Sequence, residues 1–178
     1  LRDEGYLDIA GFDLSKDAVA ICQQRGLDVI KGDIRNVDLM YDQNTFDVII
    51  SNDTLYFFDD VGRKEILEKF TKLLRPGGVL LLNVPALKAF SGMHDIGVGI
   101  KRRFNRPNVR ALIESKSLSI QKEIYWPFLV SPLIYIARNF QRLKLKMNPG
   151  IQIKSDVELP SKWVNYLLKK VTLLENKI

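Results

Sequence analysis

DIAGFDLSKDA, residues 8–18, passes from an apolar run into a helix start across one acidic residue, Asp13. Residues 8–12 read as a short strand, and SKDAVAICQQRG, residues 15–26, as a helix. Ser15 suits its N-cap, Ala18, Ile21 and Cys22 share a face, and Gly26 suits its C-terminal end. Strand, acid, helix is the order that sets a carboxylate at the carboxyl end of a strand, where open α/β sheets bind ligands.

The same alternation continues downstream. LDVIKGD, residues 27–33, predicts a second strand ending at Asp33, and FDVIISND, residues 46–53, a third whose apolar run predicts burial on both faces. Ile66, Leu67, Phe70, Leu73 and Leu74 form a helical stripe, RPGG at 75–78 breaks it, and VLLLNV at 79–84 predicts a fourth buried strand. Buried strands alternating with helices predict a doubly wound, Rossmann-like, mostly parallel α/β sheet. Beyond it, a helix over 106–116 carries Pro107 in its first turn, and LSIQKEIYW at 118–126 alternates as a sheet-edge strand does. Residues 128–146 predict an apolar-to-basic helix, and 159–177 an amphipathic one with Trp163, Val164, Leu167, Leu168, Val171 and Leu174 inward. The expected organisation is one domain, a core over 1–126 and a helical cap over 127–178.

Composition narrows the chemistry. At 178 residues the chain is long enough for a single core. One cysteine, Cys22, excludes an internal disulfide framework, and one histidine, His94, leaves little for a metal site, so no metal and a cytoplasmic setting are expected. The net charge of +6 permits anionic partners without selecting one. The longest apolar stretch, residues 124–137, holds two prolines and falls short of the roughly 20 residues that span a bilayer.

Chemistry is sought just after each strand. The two carboxylate oxygens of Asp13 match two ribose hydroxyls. Asp33, at the next strand end, is placed to accept from an adenine amino group while Ile34 packs on the ring and offers its backbone N–H. Local roles as turn residues or caps are the alternative for both aspartates.

Four segments in register, GFDLSKDAVAICQQRG (11–26), VIKGDI (29–34), FDVIISNDTLYFFDD (46–60) and LLRPGGVLLLNVPA (73–86), resemble the successive strand-end motifs of class I S-adenosylmethionine-dependent methyltransferases. Later segments are similar to a branch within the type 11 and type 23 groups. The resemblance implies S-adenosylmethionine as cofactor, Asp13 on its ribose, Leu14, Asp33 and Ile34 at the adenine, and the Ser51, Asn52 and Asp53 backbone toward the methionine part. The family's first strand and glycine-rich loop are expected before Leu1 and its last strand after Glu175, so the sheet is expected to be incomplete at both termini. Tyr56 and Phe57 stand where the family has a Glu-His pair, and Ile100 where it has a second histidine.

Methyl transfer from a sulfonium demands alignment and desolvation more than a universal base. His94 is the candidate proton acceptor, with Asp95 to orient it, and Tyr56 a candidate pocket wall. In KRRFNR, residues 101–106, Arg102 and Arg103 are candidates to grip a carboxylate or phosphate of a small-molecule, glycan-linked or lipid-linked acceptor, a solvated basic face being the alternative. No stacking platform interleaves with the basic residues, so nucleic acid is not an expected partner. Residues 125–146 suit either a peripheral contact with an anionic membrane or a cap packed on the domain itself. Two other functions compete: a non-catalytic accessory domain of the same fold, and a nicotinamide-dependent oxidoreductase, which Asp33 and RPGG disfavour.

Overall fold

A computed structural model describes residues 4–113, 118–148 and 161–176. The order of elements is β1 (Gly11–Asp13), α1 (Lys16–Gln24), β2 (Val29–Lys31), α2 (Val37–Met40), β3 (Phe46–Asn52), α3 (Asp60–Leu73), β4 (Leu74–Asn83), α4 (Met93–Val98), α5 (Arg106–Ile113), α6 (Ser131–Met147) and α7 (Lys162–Glu175). The chain divides into two compact units, one of Leu1–Ile50 with Asp60–Leu81 and one of Ser51–Asp59 with Leu82–Ile178.

In the first unit β1 and β2 pair in parallel, Gly11 opposite Val29, Phe12 opposite Ile30 and Asp13 opposite Lys31. Parallel neighbours need a crossover, and α1 supplies it. Ser15 caps α1 by accepting from the Ala18 N–H at 3.3 Å, and Gly26 follows its end at φ +71°, a left-handed turn that a residue without Cβ makes at no steric cost. The stripe on α3 is realised, with Ile66, Leu67, Phe70 and Leu73 buried. Lys69 of α3 bridges to Asp38 at 2.8 Å and donates to the Arg35 carbonyl, tying the 3-10 turn at 34–36 to that helix.

The strands form two separate pairs, β1 with β2 and β3 with β4, rather than the single sheet expected. Burial of β3 and β4 on both faces is also corrected. Val48, Ile50, Val79 and Leu81 lie on an exposed face, because among the described residues no element covers it. RPGG does not form a connecting loop: β4 begins at Leu74 and runs through it. Pro76 lacks an amide hydrogen and Gly77 sits at φ +80°, so the start of β4 is irregular. A Cβ at Gly78 would stand 2.9 Å from the Arg75 carbonyl and 3.2 Å from that of Asp47, so only glycine lets the chain pass there.

In the second unit the predicted helices form as α5, α6 and α7. Residues 118–126 do not form a strand. That segment is held by side chains instead, Arg110 on Glu123 and the Arg106 guanidinium 4.8 Å above the Tyr125 ring. The inward face expected for α7 is likewise corrected: Trp163, Val164, Leu167 and Leu174 are exposed, and Leu168 and Val171 only half-buried. No helix among the described residues is long and apolar enough to cross a membrane.

Candidate functional site

The parallel register of β1 and β2 decides where the first two aspartates stand. Asp13 opposes Lys31, and the Gly32 N–H donates to the Asp13 carbonyl at 3.0 Å, so Asp13 and Asp33 emerge at the same end of adjacent strands. Asp13 is exposed, and its Oδ1 accepts the Ser15 N–H at 2.7 Å. Oδ2 has no protein partner among the described residues, which leaves one carboxylate oxygen for a ligand hydroxyl. Leu14 beside it is 66% exposed, an apolar surface open to a flat ring.

Asp33 is more heavily engaged than the sequence suggests. Its carboxylate accepts the Arg35 backbone N–H at 2.9 Å and, in a fork, Arg35 Nε and Nη2. That side-chain pairing, with the backbone bond, holds the Asp33 carboxyl below its ordinary range. The ion pair must open or share an oxygen before Asp33 accepts from an amino group. Ile34 is buried in the core of its unit, and its side chain packs there.

The second unit gathers the remaining candidates. Ser51 and Asn52 end β3, and Asp53 follows in the left-handed region at φ +48°, its N–H donating to the Asn83 carbonyl at 2.9 Å. Ser51 is buried, and its Oγ has no hydrogen-bond partner. A buried hydroxyl left unpaired costs about 1–3 kcal/mol, which makes it the group in this unit most in need of a ligand atom. Ser51→Ala therefore has an unusual expected outcome. Removing the hydroxyl leaves thermal stability unchanged or raised, while affinity for the cofactor falls about fivefold, the scale of one neutral hydrogen bond. A parallel loss of stability and affinity would instead mark Ser51 as a structural group.

His94 and Asp95 lie on α4, with Arg102 and Arg103 just after it. The structure pairs Asp95 with Arg103 and not with His94. Arg103 Nε reaches Asp95 Oδ2 at 2.6 Å, Nη2 reaches Oδ1 at 2.7 Å, and Nη1 donates to the Ala86 carbonyl at 2.8 Å. Arg103 is thus a latch within the unit, not a hand held out to an acceptor, and Asp95 is its counter-ion. Arg102 stacks 5.7 Å from the Phe104 ring. Tyr56 is buried against Phe57, ring centres 4.2 Å apart, with its hydroxyl pushed above the ordinary range by burial and then by Asp53 and Asp95.

One side chain was missed at the level of sequence. Asp53 was valued for its backbone, yet burial raises its carboxyl above the ordinary range while Arg103 and His94 pull it back in part. Its one hydrogen bond is a long one, 3.4 Å from Asn83 Nδ2, and it lies in no ion pair among the described residues. A carboxylate raised by burial and under the influence of a guanidinium and an imidazole is suited to take a proton or face a cation. Its position after a strand was the available signal. Among the described residues no group of three or more His, Cys, Asp or Glu side chains is arranged to hold a metal.

Residues 1–82 match the family described as "Methyltransferase domain". The chain is 32% identical over 80 residues to a carboxy-S-adenosyl-L-methionine synthase of Photobacterium profundum, covering 45% of this chain and 31% of that protein. It is 34% identical over 83 residues to the synthase of the same name from Chromohalobacter salexigens, covering 42% and 29%. It therefore spans about a third of the length of these relatives. The crystal structure of a SAM dependent methyltransferase from Archaeoglobus fulgidus superposes with a TM-score of 0.55 at 13% identity, over 82% of this chain and 72% of that one, a likeness of fold.

Proposed function

We propose that the protein is a class I S-adenosylmethionine-dependent methyltransferase, its residues 1–82 matching the methyltransferase domain family, and that it transfers a methyl group from this cofactor to a small-molecule, glycan-linked or lipid-linked acceptor in the cytoplasm. The observation that carries the proposal is the parallel register placing Asp13, with one unengaged carboxylate oxygen, beside Asp33 at the ends of two neighbouring strands. The orphaned Ser51 hydroxyl supports it independently.

The cofactor supplies an activated methyl group on a sulfonium, so the acceptor displaces it in line. Asp13 Oδ2 would take a ribose hydroxyl, Leu14 would lie along the adenine, and Asp33 would accept from the amino group once Arg35 yields an oxygen. Ser51 Oγ and the Asn52 backbone would face the methionine portion. On the acceptor side, Tyr56 forms wall and His94 takes the proton of a hydroxyl or amine, with Asp53 as the adjoining carboxylate. Arg102 remains the proposed contact for an anionic acceptor group, and the Asp95–Arg103 pair fixes the segment that carries it. Helices α6 and α7 are proposed to form a helical cap.

A second reading, synthesis of carboxy-S-adenosyl-L-methionine, is favoured by the names of the curated relatives. Incubating the intact protein with S-adenosylmethionine and, in separate reactions, candidate methyl acceptors or candidate carboxyl donors, and identifying the products by mass, separates the two. A methylated acceptor supports transfer, a carboxylated cofactor supports the second reading, and binding without turnover supports an accessory role.

A further inference from the structure

Helix α6 carries two faces of different character. Ile134, Arg138, Gln141 and Leu145 lie on its half-buried side, and Tyr135 meets Phe90 edge-on with ring centres 6.0 Å apart. The contact is close: a Cβ on Gly92 would stand 2.6 Å from Arg138 Cδ. The opposite side repeats an apolar residue at steps of three and four, Leu133, Ile136, Phe140, Leu143 and Met147, each more than half exposed. That stripe runs about 21 Å at the rise of an α-helix. Just before the helix, Trp126 and Phe128 are also exposed.

The charges around the stripe select its partner. Lys144 and Lys146 fall about 60° and 100° to either side of it on a helical projection. Arg138 and Arg142 turn away from it, bonded to Gln141 and Asn139. Helix α6 has no acidic residue. Two such faces docked on one another would bring lysines together with no carboxylate from α6 between them, which disfavours a second copy of this chain. An apolar strip with lysines on both flanks and aromatic residues at one end fits the headgroup boundary of an anionic bilayer, the lysines extending upward while the strip sinks.

We propose that α6 docks the protein on anionic lipid, with Leu133, Ile136, Phe140, Leu143 and Met147 entering the interface and Lys144 and Lys146 contacting lipid phosphates. This does not rest on the methyltransferase reading. It concerns a surface of the second unit, and its test uses no activity.

The test is co-sedimentation of the full chain with phosphatidylcholine vesicles made with and without phosphatidylglycerol. Binding is expected to the anionic vesicles, weaker by tenfold or more to neutral ones, and reduced severalfold by raised salt, since only two lysines flank the strip. Phe140→Asp and, separately, Leu133→Asp are expected to abolish binding with helical content unchanged, because both side chains are exposed in the folded chain. The paired change Lys144→Gln with Lys146→Gln is expected to remove the preference for anionic lipid. No binding to either vesicle, or binding that survives both aspartate variants, overturns the proposal. Sedimentation showing a dimer that Phe140→Asp dissociates would assign the face to a second copy and overturn it as well.

Discussion

Arg103→Ala is expected to cost about 3 kcal/mol of stability, the scale on which removing one partner of a buried ion pair strands the other. Both side chains are nearly buried, 13% exposed for Arg103 and 10% for Asp95. The substitution leaves the Asp95 carboxylate without its two charge-assisted bonds and the Ala86 carbonyl without its donor. It also loosens a side-chain tie between the residues that follow β4 and the segment after α4. There Phe104 N–H donates to the Pro85 carbonyl, and Leu87 N–H to that of Phe104. Urea denaturation of the variant checks the size of the effect. A double variant, Asp95→Leu with Arg103→Met, should recover most of the loss, because two apolar groups of similar volume require no counter-ion. A loss below about 1 kcal/mol for Arg103→Ala would mean that the pair behaves as a surface one.

This pair shows why the site was only partly legible in the sequence. KRRFNR reads as a positive run facing outward, and nothing in its composition says that its third residue turns inward. The turn depends on Gly99, which leaves α4 at φ +73° while the Ile100 N–H closes on the Asp95 carbonyl at 2.8 Å. Only that reversal brings a residue eight positions downstream back over the Asp95 carboxylate. Local signals fared better. The cap at Ser15, the stripe on α3 and the acids at the ends of β1 and β2 follow from short-range preferences that the fold reinforces. Strand pairing did not follow, since which strands meet is a long-range outcome. Residues 46–53 and 79–84 look fully buried by composition, yet one face of the β3–β4 pair is open. Alternation over 118–126 likewise mimics a strand, and apolar spacing over 162–175 an inward face, without stating whether a partner exists to accept either.

Asp13→Ala is expected to weaken S-adenosylmethionine binding by about 2 kcal/mol, roughly thirtyfold, the scale of charge-assisted hydrogen bonds to a carboxylate. Asp13 also accepts the Ser15 N–H, so the variant should lose a few tenths of a kcal/mol to 1 kcal/mol of stability. Two companions separate these roles. Asp13→Asn keeps an acceptor oxygen for Ser15 and removes the charge, so it should hold its stability while binding falls. Ser15→Ala removes the cap of α1 and should lower stability by about 1 kcal/mol with cofactor affinity nearly unchanged. If Asp13→Ala and Ser15→Ala behaved alike, destabilised and with affinity intact, Asp13 would be a turn residue and the ribose assignment would fail.

The central proposal is a nucleoside-binding end of a parallel sheet that serves methyl transfer. Calorimetric titration of the intact protein with S-adenosylmethionine, S-adenosylhomocysteine and NAD tests it most directly. Saturable heat from both sulfur nucleosides and none from NAD is predicted, with the response weakened in Asp13→Ala and Ser51→Ala. Saturable binding of NAD with no response to either sulfur nucleoside would contradict it.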